Sequence, residues 1–248
     1  MTSTTISLIV LASVFGGALL GILLRSVLPS HHLSAETKDI VKLGMGLVGT
    51  MAALVLGLLV ASAKGSYDTQ SAELTQLSSN ILLLDRGLTL YGPETREIRA
   101  LLRDIVVQFH DQMWSKDAAS RLSPPSGGEI LYAKIQGLTP KNDTQRSIQS
   151  QALSLVVDMG KTRFLMYQQA TGGVSLPLLI VLVLWLSIIF ISFGLYAPFN
   201  ATAVCSLFLA ALSVSGAIFL ILQMYTPYVG LVQISDAPMR GVIANLEP

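Results

Sequence analysis

The sequence contains little charge and almost no cysteine. Only 12% of the 248 residues are Asp, Glu, Lys or Arg, about half the fraction usual in soluble domains. The net charge of +1 creates no strong field that would attract nucleic acid or acidic substrates. The single cysteine, Cys205, excludes an intramolecular disulfide and a cysteine-rich metal site. Because 52% of the residues are hydrophobic, the composition indicates a membrane protein.

Charge is absent altogether from four long apolar stretches, residues 5–24, 43–63, 176–196 and 201–224. Each has about 20 residues or more, the length that an α-helix needs to cross the roughly 30 Å hydrocarbon core of a bilayer. The first stretch has no positive charge before it and no Ala-x-Ala site after it, so we interpret it as a retained helix. We therefore predict an all-α integral membrane protein with four transmembrane helices.

Most of the charge lies between the second and third apolar stretches. We accordingly divide the chain into transmembrane helices one and two (1–63), a helical domain (64–173), transmembrane helices three and four (174–228) and a C-terminal tail (229–248). The N-terminus, the helical domain and the tail must share one side of the membrane. The charges flanking the helices are nearly balanced, and no export signal is present. We therefore expect this side to be the cytoplasm, and the membrane to be the inner (plasma) membrane.

The inserted domain has the spacing of a helical bundle. Leu74, Leu77, Ile81, Leu84 and Leu88 alternate steps of three and four residues, which is typical of a coiled-coil seam. No proline separates this seam from helix two, so we predict one long helix. Two further amphipathic helices carry Ile98, Leu102, Ile105, Phe109 and Met113 (94–114) and Ile148, Ala152, Leu155, Met159, Thr162 and Met166 (143–170). A short helix at 129–137 completes the predicted bundle.

Small residues recur about once per turn on three of the membrane helices. They are Ser13, Gly17 and Gly21 on helix one, Gly46, Thr50, Ala53, Gly57 and Ala61 on helix two, and Ser206, Ala210, Ser213 and Ala217 on helix four. Such rows let helix backbones approach closely, because lipid provides no hydrophobic force between helices. One interpretation is packing within the chain. The other is that the row on helix two lines a pore around a symmetry axis.

The pore interpretation assigns a role to several neighbours of that row. Thr50 and Ser62 would supply hydroxyl groups to the pore wall. The pore-lining candidates are Gly46, Thr50, Ala53, Gly57, Ala61, Ser62 and Lys64. The larger side chains Met51, Leu54 and Leu58 would form a hydrophobic gate. Lys64, Asp68 and Glu73 would form rings of charge at the cytoplasmic mouth, the alternative being an ordinary solvated helix start.

Residues 80–94, NILLLDRGLTLYGPE, predict a structural joint between two helices. Its principal residues are Asp85, Arg86, Tyr91, Gly92, Pro93 and Glu94. Gly92 suits a left-handed helix cap, Pro93 the first turn of the next helix, and Glu94 the positive end of that helix.

Asp85 and Arg86 are adjacent, so they lie about 100° apart around a helix and do not face one another. We therefore expect each to pair with a charge on another helix. The pairs that we predict are Asp85 with Arg163 and Arg86 with Asp158.

Other functional classes lack their usual residues. No Gly-x-Ser-x-Gly, Walker or Cys/His pattern is present, so we predict neither an enzyme nor a cofactor. The adjacent His31 and His32 lack the additional ligands that a metal site requires. The apolar stretches contain no carboxylate of the kind that ion-coupled transporters use. A transporter would instead need a hydrated cavity near Gln223, and Asn200 is interpreted as the N-cap of helix four.

Four segments resemble the bacterial bestrophin-like family of unknown function: GLLVASAKGSYDTQSAEL (57–74), LLLDRGLTLYGPE (82–94), SFGLYAPFNAT (192–202) and GLVQISDAPMR (230–240). The resemblance spans nearly the whole chain. It implies a four-helix membrane protein with a helical cytoplasmic domain. By analogy with bestrophins, it implies an oligomeric ion channel whose pore is lined by helix two.

We therefore expect the partners to be the lipid bilayer, further copies of the chain and a permeant inorganic ion, with no nucleic acid. The alternative is a membrane-anchored scaffold or signalling subunit whose cytoplasmic bundle binds a protein partner.

Overall fold

The computed structural model describes residues 2–29, 34–115, 127–171 and 174–246. His31 and His32 lie outside the described residues. The helices, numbered in chain order, are α1 (Ser3–Val27), α2 (Ala35–Tyr91), α3 (Arg96–Met113), α4 (Gly128–Gln136), α5 (Asp143–Thr171), α6 (Leu176–Tyr196), α7 (Ala201–Met224) and α8 (Ala237–Asn245). No strand occurs in these ranges, so the predicted all-α class is confirmed for the described part of the chain.

The four apolar stretches all form helices long enough to cross a membrane: α1, α2, α6 and α7. Helices α6 and α7 begin and end at the predicted residues, while α1 extends beyond the predicted stretch at both ends. The predicted cap is confirmed as well, because the side-chain oxygen of Asn200 accepts a 2.8 Å hydrogen bond from the backbone N–H of Ala203. Helix α2 runs without interruption for 57 residues, as the absence of proline predicted.

The chain divides into two compact units. The first, here called the apolar unit, comprises Met1–Gly65 and Gly173–Tyr225. The second, here called the bundle, comprises Ser66–Gly172 and Thr226–Pro248. Helix α2 therefore contributes its N-terminal part to the apolar unit and its C-terminal part to the bundle.

In the apolar unit, α1 packs closely on α6 through glycines. A Cβ atom at Gly21 would fall within 3.0 Å of the carbonyl oxygen of Ile191, closer than real Cβ atoms come. A Cβ atom at Gly194 would meet the carbonyl oxygen of Ala18 in the same way. Helix α7 joins them through Ser215, whose hydroxyl donates a 2.6 Å hydrogen bond to the carbonyl of Ser7 on α1. Packing within the chain therefore explains the glycines of the small-residue row on α1.

The bundle core is built on the predicted seam. All five seam leucines and isoleucines of α2 are buried, and so are the five predicted core residues of α3. On α5, Ala152, Met159 and Met166 are buried, whereas Ile148, Leu155 and Thr162 are only partly so. Val156, which was not predicted as a core residue, is also buried. Leu82 packs against this core from beside the seam, while Leu83 is exposed.

The C-terminal segment belongs to the same core. Met239, Val242 and Leu246 are buried among the bundle helices. The indole N–H of Trp114 on α3 donates a 3.2 Å hydrogen bond to the carbonyl of Ile234, and Nε2 of His110 lies 3.4 Å from a carboxylate oxygen of Asp236. The bundle is therefore assembled from two separate parts of the chain.

Candidate functional site

The apolar part of α2 buries only one of its sides. Ala52, Leu59 and Ala63 are at most 4% exposed. Their spacing places them within about 40° of one another around the helix. In the apolar 18-residue segment of α2 only 11% of the residues are buried, compared with 33% in the corresponding segment of α1. Most residues around the apolar part of α2 are therefore not buried by the described part of this chain.

The row of small residues lies on the exposed circumference of α2. Gly46, Thr50, Ala53, Gly57 and Ala61 are all exposed. A Cβ atom added at Gly46 or Gly57 would meet nothing within 4 Å. The Thr50 hydroxyl donates a 2.9 Å hydrogen bond back to the carbonyl of Gly46, one turn earlier. Unlike the glycines of α1, Gly46 and Gly57 make no close helix contact among the described residues.

The gate candidates occupy the adjoining part of the same exposed surface. Met51, Leu54 and Leu58 are 46%, 66% and 59% exposed. At 100° per residue they follow the small residues around the helix and still face away from its buried side. The exposed surface of α2 thus combines a strip of small residues with a strip of large apolar ones.

Ser62, another pore-lining candidate, is exposed and forms a hydrogen bond with a residue of the same unit. Its hydroxyl oxygen lies 3.0 Å from the hydroxyl of Tyr225, which donates to it.

The small residues of α7 are not buried as the glycines of α1 are. Ser206, Ala210 and Ser213 are exposed, while the buried side of α7 carries Ala211 and Ser215. Cys205 is also exposed.

The three charged mouth candidates have different surroundings. Lys64 is exposed and follows Gly57 by seven residues, which places it on the same side of α2 as the small residues. Asp68 is exposed as well. Glu73 instead lies in the bundle, where one carboxylate oxygen accepts a 2.8 Å hydrogen bond from the side-chain amide of Gln169. The structure therefore aligns Lys64 with the small residues and turns Glu73 toward α5.

Gln223, the polar residue that a transporter would need, is buried in the apolar unit. It is not among the residues that line the cavity of about 640 Å³ between α2, α6 and α7. Among the residues that the structure describes, no group of three or more His, Cys, Asp or Glu side chains is arranged to hold a metal ion.

At the predicted joint, Asp85 pairs with Arg99. The Nε and Nη2 atoms of Arg99 lie 2.7 and 3.3 Å from the two carboxylate oxygens of Asp85, so the ion pair is bidentate. Both side chains are largely buried. The predicted partner was wrong because the chain turns sharply after Tyr91, so that α3 brings a basic residue only 14 positions later against α2.

The predicted partners are engaged elsewhere. The guanidinium of Arg163 lies over the ring of Phe109, 5.1 Å from its centre, and burial lowers the pKa of Arg163. Asp158 forms an ion pair with Lys161, one turn away on α5. Arg86 is exposed, and the predicted Arg86–Asp158 pair is also wrong. An exposed arginine remains solvated and needs no fixed partner.

The corner after α2 is closed by hydrogen bonds from Thr95, just before α3, and from Gln145 on α5. The buried Thr95 hydroxyl donates to the carbonyl of Leu88 at 2.6 Å and lies 2.8 Å from that of Gly92. The side-chain amide of Gln145 on α5 donates to the carbonyl of Tyr91 at 2.8 Å. Two of the last four carbonyls of α2, those of Leu88 and Tyr91, therefore accept hydrogen bonds from side chains.

The backbone of this corner differs in detail from the prediction. Gly92 has φ 134° and ψ −176°, an extended positive-φ conformation rather than the left-handed helical cap. Pro93 opens a 3₁₀ turn, Pro93–Thr95, and so occupies the first turn as predicted. A hydrogen bond from Lys141 lowers the pKa of Glu94, with a smaller contribution from a backbone hydrogen bond.

Comparison with known families identifies the family of this chain. The family description "Bestrophin-like domain" matches residues 12–239, nearly the whole length. No curated protein and no solved structure matches the chain. The chain belongs to the bestrophin-like family, and this membership together with its four long apolar helices indicates a membrane protein.

Proposed function

We propose that copies of this chain assemble into a bestrophin-like ion channel in which α2 of each copy lines a central pore. The observation that supports this proposal is the exposed row of small residues on α2. Small residues in membrane helices normally mark places where backbones approach closely. The part of the row from Thr50 to Ala61 is exposed in this chain, so symmetry-related copies or the water of a pore are its natural neighbours.

The chemistry of α2 suits a passive pore. Thr50 offers a hydroxyl oxygen, and the glycines leave backbone carbonyls open to water. The large apolar side chains of Met51, Leu54 and Leu58 would close such a pore by excluding water until the helices move apart. The proposal assigns no catalytic step and no cofactor to the chain. It places the bundle and both termini in the cytoplasm, beneath the inner membrane.

Lys64 is the proposed determinant of ion preference. A ring of lysines just beyond the last apolar turn would attract anions and repel cations. Asp68 lies one turn further along α2 and would oppose this effect only in part. The expected pore therefore passes anions more readily than cations.

The proposal is tested by reconstituting the purified protein in planar bilayers under a KCl gradient. The reversal potential should lie closer to the equilibrium potential of chloride than to that of potassium. Lys64→Glu should shift it toward the equilibrium potential of potassium. Lys161→Glu, an exposed lysine on α5, is the matched control and should leave it unchanged. Absence of current under varied voltage, pH and calcium would contradict the channel proposal.

The alternative is a membrane-anchored scaffold, and one observation favours it. The bundle surface between α4 and α5 contains a cavity of about 780 Å³. Ile130, Val157 and Phe164 line this cavity and are each at least 44% exposed. An apolar surface of this kind is typical of a site where a protein partner docks.

The symmetry of the assembly separates the two proposals. We expect a ring with α2 around its axis, which can be measured as the mass and symmetry of the particle in lipid nanodiscs. A monomer or a dimer would favour the scaffold.

A further inference from the structure

The apolar unit contains a second cavity, of about 640 Å³, between α2, α6 and α7. Its walls are apolar, with Met45 and Gly49 from α2, Ile189 and Phe193 from α6, and Leu207 from α7. Glycine creates part of this space, since a Cβ atom at Gly49 would only just reach the side chain of Ile189, 4.0 Å away. A volume of this size lies within the range of roughly 300–1,000 Å³ that is typical of ligand sites.

One basic side chain lines this cavity, and two more contact residues that line it. Lys42 itself lines it. The ammonium of Lys38 lies 5.9 Å from the ring centre of Tyr196, and Arg25 donates a hydrogen bond to the carbonyl of Ala197. Both Tyr196 and Ala197 also line the cavity.

The acidic groups nearby do not cancel this charge. Asp39 lies 3.6 Å from Lys42, in an exposed pair one turn apart, and Glu36 occupies the first turn of α2. Three cations and two carboxylates leave this end of the cavity positive. An apolar cavity between membrane helices with a basic rim has the chemistry of an anionic phospholipid site, because acyl chains suit the walls and a phosphate suits the rim.

We propose that this cavity binds an acyl chain of an anionic phospholipid, whose phosphate is held by Lys42 with Lys38 and Arg25 around it. The acyl chain lies along Gly49, where α2 has no side chain to fill the space. This site does not depend on the proposed pore, because lipid binding can be measured on protein that conducts no current.

The headgroup contact is tested by native mass spectrometry of the detergent-purified protein. Phosphatidylglycerol should bind more tightly than phosphatidylcholine with the same acyl chains. Lys42→Gln should weaken phosphatidylglycerol binding about fivefold, as expected for one lysine near a phosphate. Lys161→Gln is a close control, since Lys161 is also exposed and paired one turn away with an aspartate. Equal binding of the two lipids by the wild-type protein would overturn the proposal.

The acyl-chain contact is tested by filling the cavity. Gly49→Leu should weaken binding of both lipids, whereas Gly44→Leu should not, because Gly44 is not part of the cavity lining and a Cβ atom there meets nothing within 4 Å. Soluble glycerophosphoglycerol, the same headgroup without chains, should not displace the lipid.

Three outcomes would contradict the acyl-chain assignment. Displacement by glycerophosphoglycerol would show that the apolar walls contribute nothing. Equal effects of Gly49→Leu and Gly44→Leu would remove the link to the cavity. Unchanged lipid binding by Gly49→Leu with an altered assembly mass would show that a neighbouring copy, rather than lipid, fills the space.

Discussion

At the scale of single residues, Gly21 and Gly194 decide how closely two membrane helices approach. Each leaves room only for a backbone carbonyl of the other helix, that of Ile191 or of Ala18. In lipid, such close backbone packing holds helices together, because apolar side chains gain nothing by leaving acyl chains to contact one another. The α1–α6 pair should therefore be sensitive to a single methyl group.

Gly21→Ala should destabilise the apolar unit by about 1–3 kcal/mol, since the added Cβ atom must push a backbone rather than a flexible side chain. Gly16→Ala is the control, because a Cβ atom at Gly16 meets nothing within 4 Å. The measurement is the unfolding temperature of both variants in the same detergent. Equal temperatures for the two variants would show that the close contact is not formed.

The ion pair between Asp85 and Arg99 is the second residue-scale determinant. Removing one partner should cost about 1–3 kcal/mol, because the other charge is left largely buried without its hydrogen bonds. A double-mutant cycle with Asp85→Asn and Arg99→Met should give a coupling free energy of about 1 kcal/mol or more. The exposed Asp158–Lys161 pair, taken through the same cycle, should give about 0.5 kcal/mol or less. Equal couplings would contradict the structural role of the first pair.

At the scale of elements, the corner between α2 and α3 depends on Gly92. Its φ of 134° is strained for any residue with a Cβ atom, and such an atom would also lie 2.7 Å from a carboxylate oxygen of Glu94. Gly92→Ala should therefore lower the free energy of unfolding by about 1–3 kcal/mol.

The control for Gly92 is Gly87→Ala, in the interior of α2. There the added Cβ atom would make an ordinary 3.7 Å contact with Ile148, and alanine favours the helix over glycine. Chemical denaturation of both variants checks the difference. A Gly92→Ala protein as stable as the Gly87→Ala protein would show that the corner has another conformation.

The elements that could be predicted from sequence are those fixed by local spacing. The seam from Leu74 to Leu88 alternates three and four residues, and a helix with that pattern buries one side in any bundle. The partner of Asp85 could not be found in this way, because it depends on where the chain goes after Gly92. The docking of α8 was missed, although Met239, Val242 and Leu246 show the spacing of one helix side.

The candidate site was harder to predict than the fold. Rows of small residues on α1 and α2 look alike in the sequence, yet the glycines of the first row are buried and the second row is exposed. A sequence does not tell which copy of a helix a row contacts, since the partner can belong to the same chain or to another. The spacing therefore identified the residues but left their role open.

At the scale of the whole molecule, the central claim is that the exposed strip of α2 faces a pore. Ala52 and Ala53 are adjacent residues of the same type, yet the first is buried and the second belongs to the exposed row. The same Ala→Cys substitution can therefore be made at a position that should face the pore, Ala53, and at one that should face away from it, Ala52.

The most direct measurement is the block of reconstituted current by a charged thiol reagent, in a Cys205→Ser background that removes the exposed native cysteine. The current through Ala53→Cys channels should fall on treatment, because the reagent places a charge in the pore. The current through Ala52→Cys channels should not change. Equal sensitivity of the two variants, or no current from either, would contradict the assignment of α2 as the pore-lining helix.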